Sequence, residues 1–259
     1  MAAMPSDVDD QPAVDVRPPR SISSATPRSL IRAPIAVGPG RPAIVVPAVQ
    51  GGGLFGAMPD FPVQLSKVQA PPLRDETLAR DRLLDWLAAK IHNRVVLIVA
   101  EAGYGKTTLL ADFSRHTRLR SLWYRLDRGD RDWVGFIAHL AAAVRVHVPD
   151  FGPATDGLLR ETATAAPPLD SVLDTFIREL VSLPADPSVL ILDDFHLVDD
   201  TPEIRHVVKE LLARAPERLS FIFASRRLPP IPLARLRALG EVAELGTAEL
   251  RFNTAETER

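Results

Sequence analysis

From residue 63 onward the chain alternates between two hydrophobic textures. Residues 95–100 and 189–192 are apolar at every position, without the in–out alternation of a half-exposed strand. They predict strands buried on both faces. Residues 121–126, 219–224 and 242–245 read as further strands. Between these runs the apolar residues fall at helical spacing. Leu78, Leu83, Leu84, Leu87 and Ala88 mark a helix over 77–90, and Leu109, Leu110 and Phe113 one over 106–116. Residues 133–148 are crowded with apolar side chains, and Val172-Leu173, Phe176-Ile177 and Leu180-Val181 form a stripe over 169–183. Ile204, Val207, Val208, Leu211 and Leu212 mark another helix, and 233–239 a short one. Residues 151–168, with their Gly, Pro and Thr, read as a loop. Strands alternating with helices predict an α/β fold of three layers, a mostly parallel sheet with helices on both sides.

Residues 1–62 differ in kind. They are rich in Pro, Ala, Ser, Gly and Arg and hold no period of 2 or 3.6, which predicts a disordered tail. Ordering a backbone costs roughly 1–2 kcal/mol per residue, and this segment has little apolar area to offset it. Ala43-Ile44-Val45-Val46 is a patch that could dock as a strand. The expected ordered domain is 63–245. Residues 246–259 are polar and read as the start of a linker, cut before a missing helical or winged-helix module.

Composition narrows the function classes. The chain has 259 residues, 46% of them hydrophobic, which suits one packed domain and an extra segment. A net charge of −2 gives no global basic field for nucleic acid or membrane. The absence of cysteine excludes disulfides and thiolate metal sites and suits a reducing cytoplasm. The first ten residues are acidic, unlike a secretory signal. The most apolar early stretch, 35–58, is broken by Pro39, Arg41, Pro42, Pro47 and Gly51-Gly52-Gly53, so it is not the run of about 20 residues a membrane helix needs.

The densest chemistry lies between the first strand and the helix that follows. Ala100-Glu101-Ala102-Gly103-Tyr104-Gly105-Lys106-Thr107-Thr108 fits G-x-x-x-x-G-K-[ST] with Ala100 in place of the first glycine. A glycine-rich turn lets backbone N–H groups converge on triphosphate oxygens, and the helix N-terminus adds positive charge. Ala102, Gly103, Tyr104 and Gly105 would supply the cradle, Lys106 would reach the β and γ phosphates, and Thr107 would ligate Mg2+. Thr108 would touch the α phosphate. The plainer alternative is a strand–turn–helix junction that needs glycines only for tightness.

A second buried strand ends in Asp193-Asp194. A carboxylate delivered beside a phosphate loop can hold magnesium through water. Asp193 is expected on the metal side, and Asp194 is expected to orient or deprotonate the attacking water. Alternatively the pair starts a turn or caps the helix near Thr201. His196 follows closely and reads as a polar residue at a loop start, with general base as the sharper option. The other histidines show no metal-ligand spacing. The strand over 219–224 runs into Ser225-Arg226-Arg227, where Arg226 would stabilise γ-phosphate charge or stand as a solvated surface residue.

Taken together, A-G-Y-G-K-T-T, L-I-L-D-D-F-H and A-S-R-R-L-P-P-I-P-L-A-R-L-R-A-L-G resemble the STAND class of P-loop NTPases, and more narrowly the large LuxR-type regulators related to the maltose-regulon activator. The likeness runs from about residue 65 to 259. Trp123-Tyr124-Arg125-Leu126-Asp127 resembles that family's second strand, and Glu249-Leu250-Arg251-Phe252 its link into the next domain. The resemblance implies an additional-strand sheet of order 5-1-4-3-2, ATP as the nucleotide, and a switch between ADP-bound and ATP-bound forms with slow hydrolysis. It places Arg80 by the base or ribose, although the family's proline is absent there. It implies partner domains, a sensor and a DNA-binding module, that this sequence lacks. The expected partners are therefore nucleotide and those domains, with ATP-dependent self-association and no direct DNA or membrane binding. Two other readings stay open. One is a continuously turning AAA-like motor or transport ATPase, against which stand the absence of LSGGQ and an Asp where a motor would place Glu at 194. The other is a nucleotide-binding fragment without activity.

Overall fold

A computed structural model describes residues 63–161 and 168–258. The expected tail over 1–62 and its candidate docking strand lie outside the described residues. The strands are β1 (Val95–Val99), β2 (Arg120–Arg125), β3 (Ser188–Asp193), β4 (Leu219–Ser225) and β5 (Val242–Leu245). They form one sheet in the order β2-β3-β4-β1-β5, and every pairing is parallel. This is the expected order 5-1-4-3-2. Helices α1 (Asp81–Lys90), α2 (Lys106–His116), α3 (Trp133–Arg145), α4 (Pro153–Glu161), α5 (Leu169–Ser182) and α6 (Pro202–Arg214) supply the connections, with short helices α7 (Ala234–Ala238), α8 (Thr247–Leu250) and α9 (Thr254–Thr257) later in the chain.

The pleat explains why the central strands are apolar at every position. Successive side chains point to opposite faces, and each face is covered. On one face Val95, Leu97, Leu190, Leu192, Phe221 and Phe223 meet α3, α5 and α6 through Phe136, Leu140, Phe176, Val207 and Leu211. On the other Val96, Ile98, Val189, Ile191, Ile222 and Ala224 meet α1 and α2 through Leu83, Leu87, Leu109, Leu110 and Phe113. A fully buried side chain of this size contributes about 1.5–3 kcal/mol, so either layer alone outweighs any single polar contact. Arg94, just before β1, locks the sheet to α6. Its guanidinium donates to the Leu212, Pro216 and Leu219 carbonyls at 3.1, 2.7 and 2.7 Å and lies over the Phe221 ring.

Three expectations need correction. Residues 151–168 were expected as a loop, yet α4 occupies part of them. Gly152 turns the chain at φ 81, and Pro153 suits a first helical position. The helix start is capped from a distance, because the Glu179 carboxylate accepts from Ala154 N and Thr155 N at 2.9 and 3.1 Å. Local sequence carries no trace of that partner. The segment 246–259, expected as polar linker, carries structure: α8 buries Leu250 at 1% exposure and α9 starts on an Asn253 cap to Glu256 N, 2.8 Å. The first helix also begins later than its apolar spacing suggests, at Asp81, with Arg80 as its N-cap.

Candidate functional site

The strands of a parallel sheet all end on one side, and the sequence's polar candidates collect there. After β1 the chain turns through 100–105 into α2. Gly103 and Gly105 hold φ of 85° and 74°, and a Cβ on either would meet nothing within 4 Å. Left-handed backbone, not crowding, is what asks for glycine here. Ala100 is absent from the positive-φ residues, and its N–H donates to Ser225 O at 3.2 Å. That is why a Cβ is tolerated where the loop pattern has glycine.

The loop leaves most of its donors free. Apart from the hydrogen-bonded turn over Ala102–Gly103, no backbone N–H from Ala102 to Thr108 has a close acceptor among the described residues, and the first helical bond runs from Leu109 N to Gly105 O at 2.8 Å. Lys106 is buried, and its ammonium donates to the Ala100 and Glu101 carbonyls at 2.6 and 2.9 Å. Burial lowers its pKa, and Arg226 adds to that effect while Asp194 and Asp193 oppose it. A glycine loop with few internal hydrogen bonds, a helix N-terminus and an ammonium with no carboxylate bonded to it match what a polyphosphate needs.

Thr107 Oγ1 donates to Asp193 Oδ2 at 2.8 Å, joining the loop to the end of β3. Asp193 is fully buried, which pushes its carboxyl up to about 6; the Thr107 hydrogen bond works the other way, and Asp194 reinforces the rise. Two hard oxygens this close fit what Mg2+ takes from protein when phosphates and water complete its shell. Among the described residues no group of three or more His, Cys, Asp or Glu side chains could hold a metal by itself.

Asp194 lies beyond the strand rather than on its next pleat. It has φ 59, the positive-φ non-glycine among the described residues, and its N–H donates to Asp193 Oδ1 at 3.1 Å. A non-glycine residue in this region costs of order 1–2 kcal/mol, and such strain gathers where side-chain aim matters. His196 follows on a single 3-10 turn, Phe195–Leu197, with Nδ1 4.0 Å from Asp194 Oδ1. Burial lowers its pKa below 6.5; Asp194 opposes this, and Arg226, Lys106 and Arg227 assist it.

The end of β4 separates its two arginines. Arg227 donates to the buried Asp199 carboxylate, Nε to Oδ2 at 3.1 Å, and to His196 O at 3.3 Å. Arg226 is exposed, and its charge reaches Lys106 and His196. Sequence reasoning missed the Arg227–Asp199 pair, because S-R-R alone does not say which arginine is spent on structure.

Arg80, expected by the base or ribose, has other partners here. Its guanidinium donates to Leu250 O at 2.7 Å, Arg251 O at 2.9 Å and Glu256 Oε2 at 3.1 Å, and it lies 4.4 Å from the Phe252 ring centroid. Arg82 joins it by donating to Glu249 O at 2.9 Å. The acidic end of β2 is also turned elsewhere: Asp127 pairs with Lys67 at 2.8 Å. A cavity of about 30 Å³ lined by Leu122, Val144, His147, Pro216 and Leu219 opens at the opposite end of the strands. None of the residues singled out for nucleotide chemistry lines it.

A parallel sheet with helices on both faces and this loop at the end of its β1 strand define a P-loop nucleotide-binding domain. The family model described as "AAA ATPase domain" matches residues 71–224, and the chain belongs to that family. Within it, the chain is a STAND/AAA-type NTPase domain related to LuxR-class regulators of the MalT kind. It is 30% identical over 194 residues to the HTH-type transcriptional regulator MalT of Klebsiella pneumoniae, covering 75% of this chain and 21% of that protein. To MalT of Cronobacter sakazakii it is 32% identical over 192 residues, covering 74% and 21%. The chain thus spans about a fifth of the length of these relatives. Similar solved structures include a Signal Transduction ATPase with Numerous Domains protein with a tetratricopeptide repeat sensor from Pyrococcus horikoshii, with TM-score 0.48 and 19% identity over 76% of this chain and 26% of that one. Drosophila ORC bound to DNA has TM-score 0.37 and 15% identity over 70% and 95%. No helix among the described residues is long and apolar enough to cross a membrane.

Proposed function

We propose that this chain binds ATP with Mg2+ at the loop over 100–108, hydrolyses it slowly, and acts as the nucleotide switch of a signal-responsive transcriptional regulator. The observation that carries the binding step is the loop over 102–108, whose N–H groups, apart from the turn over Ala102–Gly103, have no close internal acceptor. Lys106 moves from the Ala100 and Glu101 carbonyls to the β and γ phosphates. Thr107 and Asp193 hold the ion, which offsets charge on the phosphates. Asp194, set by its left-handed backbone, orients the attacking water, and Arg226 stabilises charge at the γ phosphate. Arg80 is assigned to the base or ribose side, where it shares its guanidinium with the C-terminal segment.

The switch role rests on likeness to MalT, described as a transcriptional regulator, of which this chain spans 21%. A sensor, a DNA-binding module and a cytoplasmic setting belong to the same proposal, as does ATP-dependent self-association. The generic breadth of the family match favours a second reading, an AAA-type P-loop ATPase with no regulatory duty, or a fragment that binds nucleotide without turnover. Titration with fluorescent ATP, with and without Mg2+, beside single-turnover hydrolysis separates these. Tight Mg2+-dependent binding with slow turnover supports the switch. Fast continuous turnover favours the motor, binding without any hydrolysis favours the inactive fragment, and no binding overturns the site.

A further inference from the structure

Among the described residues, His196 has a buried side chain, 8% exposed, with neither ring nitrogen hydrogen-bonded. Buried polar groups are nearly always satisfied, so an imidazole with both nitrogens idle calls for a partner. Charged groups of the same strand ends surround it. Asp194 Oδ1 is 4.0 Å from Nδ1, and Lys106, Arg226 and Arg227 all act on the ring electrostatically. Arg227 also holds the His196 carbonyl and is itself fixed by Asp199, so the turn is pinned from the end of β4. Packing alone does not account for the residue, because a leucine of similar size would fill the space without stranding two polar atoms.

We infer that His196 hydrogen-bonds the terminal phosphoryl group of a bound nucleoside triphosphate and so lets the site distinguish triphosphate from diphosphate. The inference rests on the nucleotide-binding reading above and deepens it. Lys106 meets the same phosphoryl group as a point charge and Arg226 as a permanently charged fork of donors. The ring contributes a directional hydrogen bond that disappears once the terminal phosphate has left.

His196→Leu keeps the bulk and removes both nitrogens. Affinity for AMP-PNP with Mg2+ should fall about tenfold, as expected for a hydrogen bond to a charged group, while ADP affinity stays within about twofold. His196→Asn, which retains a donor, should recover part of the loss. Equal losses for both nucleotides, or no loss for either, overturn the assignment. If the parent protein binds neither nucleotide, the nucleotide-binding reading falls and the inference with it; if it binds both and only the His196 contrast is missing, the inference falls alone. Should the leucine variant fail to fold, the parent protein still decides. Its His196 ring 15N resonances should shift on adding AMP-PNP and hardly move on adding ADP, and equal shifts with both would refute the contact.

Discussion

Lys67 and Lys106 are both buried, yet they sit in opposite electrostatic worlds. Lys67, beside the end of β2, is held by Asp127 at 2.8 Å and Asp130 at 2.9 and 3.0 Å. Burial alone would lower its pKa, but the two carboxylates outweigh it and raise the value. Asp130 in turn accepts from Asp127 N at 2.7 Å, so that corner is internally complete. Lys106 has two carbonyls and no bonded carboxylate, and burial leaves its pKa lowered. A buried charge whose counter-charge is built into the chain maintains structure. A buried charge given only dipoles, beside a loop with few internal hydrogen bonds, is the one the proposed function assigns to an anion from outside.

The largest expected effect concerns chemistry at the incomplete end. Asp194→Asn should slow single-turnover ATP hydrolysis by about 10²–10⁴-fold while fluorescent-ATP affinity changes little. Loss of binding instead would show that the residue belongs to the cradle. Next, Lys106→Ala should weaken triphosphate affinity at least tenfold, about 1.4 kcal/mol, and leave the thermal midpoint of the nucleotide-free protein nearly unchanged. Lys67→Met should do the reverse. It strands Asp130 and unpairs a half-exposed Asp127, so a loss of about 1–2 kcal/mol is expected after allowing for solvent screening. That is a drop of about 2–4 °C per kcal/mol in the thermal midpoint, with nucleotide affinity unaltered once folded protein is matched. Identical phenotypes for the two lysine variants would erase the contrast.

A pH dependence sharpens the same contrast. Burial raises the folded-state pKa of Asp193 to about 6, from an ordinary 3.8. The folded protein therefore holds this proton more tightly than the unfolded chain, and stability falls as pH rises from about 4 through 6. Asp193→Asn should remove that slope and raise the nucleotide-free thermal midpoint at pH 8, by up to about 3 kcal/mol of stability. It should also weaken Mg2+-dependent ATP binding. A midpoint profile from pH 4 to 8 for both proteins checks this, and parallel curves would show that Asp193 is ionised without penalty.

How much of this was legible beforehand follows from the range of each interaction. Runs such as 189–192 announce a doubly covered strand, because both faces must be apolar at once, and G-Y-G-K-T carries its backbone demands in its own letters. The order of the sheet came through resemblance to a family rather than from periodicity. What stayed hidden was set by partners far along the chain: Glu179 capping α4, the C-terminal carbonyls that hold Arg80, and Asp199 holding Arg227. Strand alternation alone would aim Asp193 and Asp194 to opposite faces. The left-handed turn at Asp194 replaces that rule with a local one, and no pattern of polar and apolar residues foretold it.

The position of β1 also bears on how the molecule comes into being. Of the five strands it is the first to be synthesised, yet it lies between the last two, with Val95 beside Phe221 on one side and Val242 on the other. During synthesis at about 5–20 residues per second, the glycine loop waits on the order of ten seconds before either neighbour exists. Its anchor, Ala100 N to Ser225 O, arrives equally late. Until then the most hydrophobic strand of the sheet has no edge to join, a long-range closure of the kind that makes parallel sheets slow to fold and prone to wrong encounters. The loop is written early in the chain but takes its shape only when the last strands have left the ribosome.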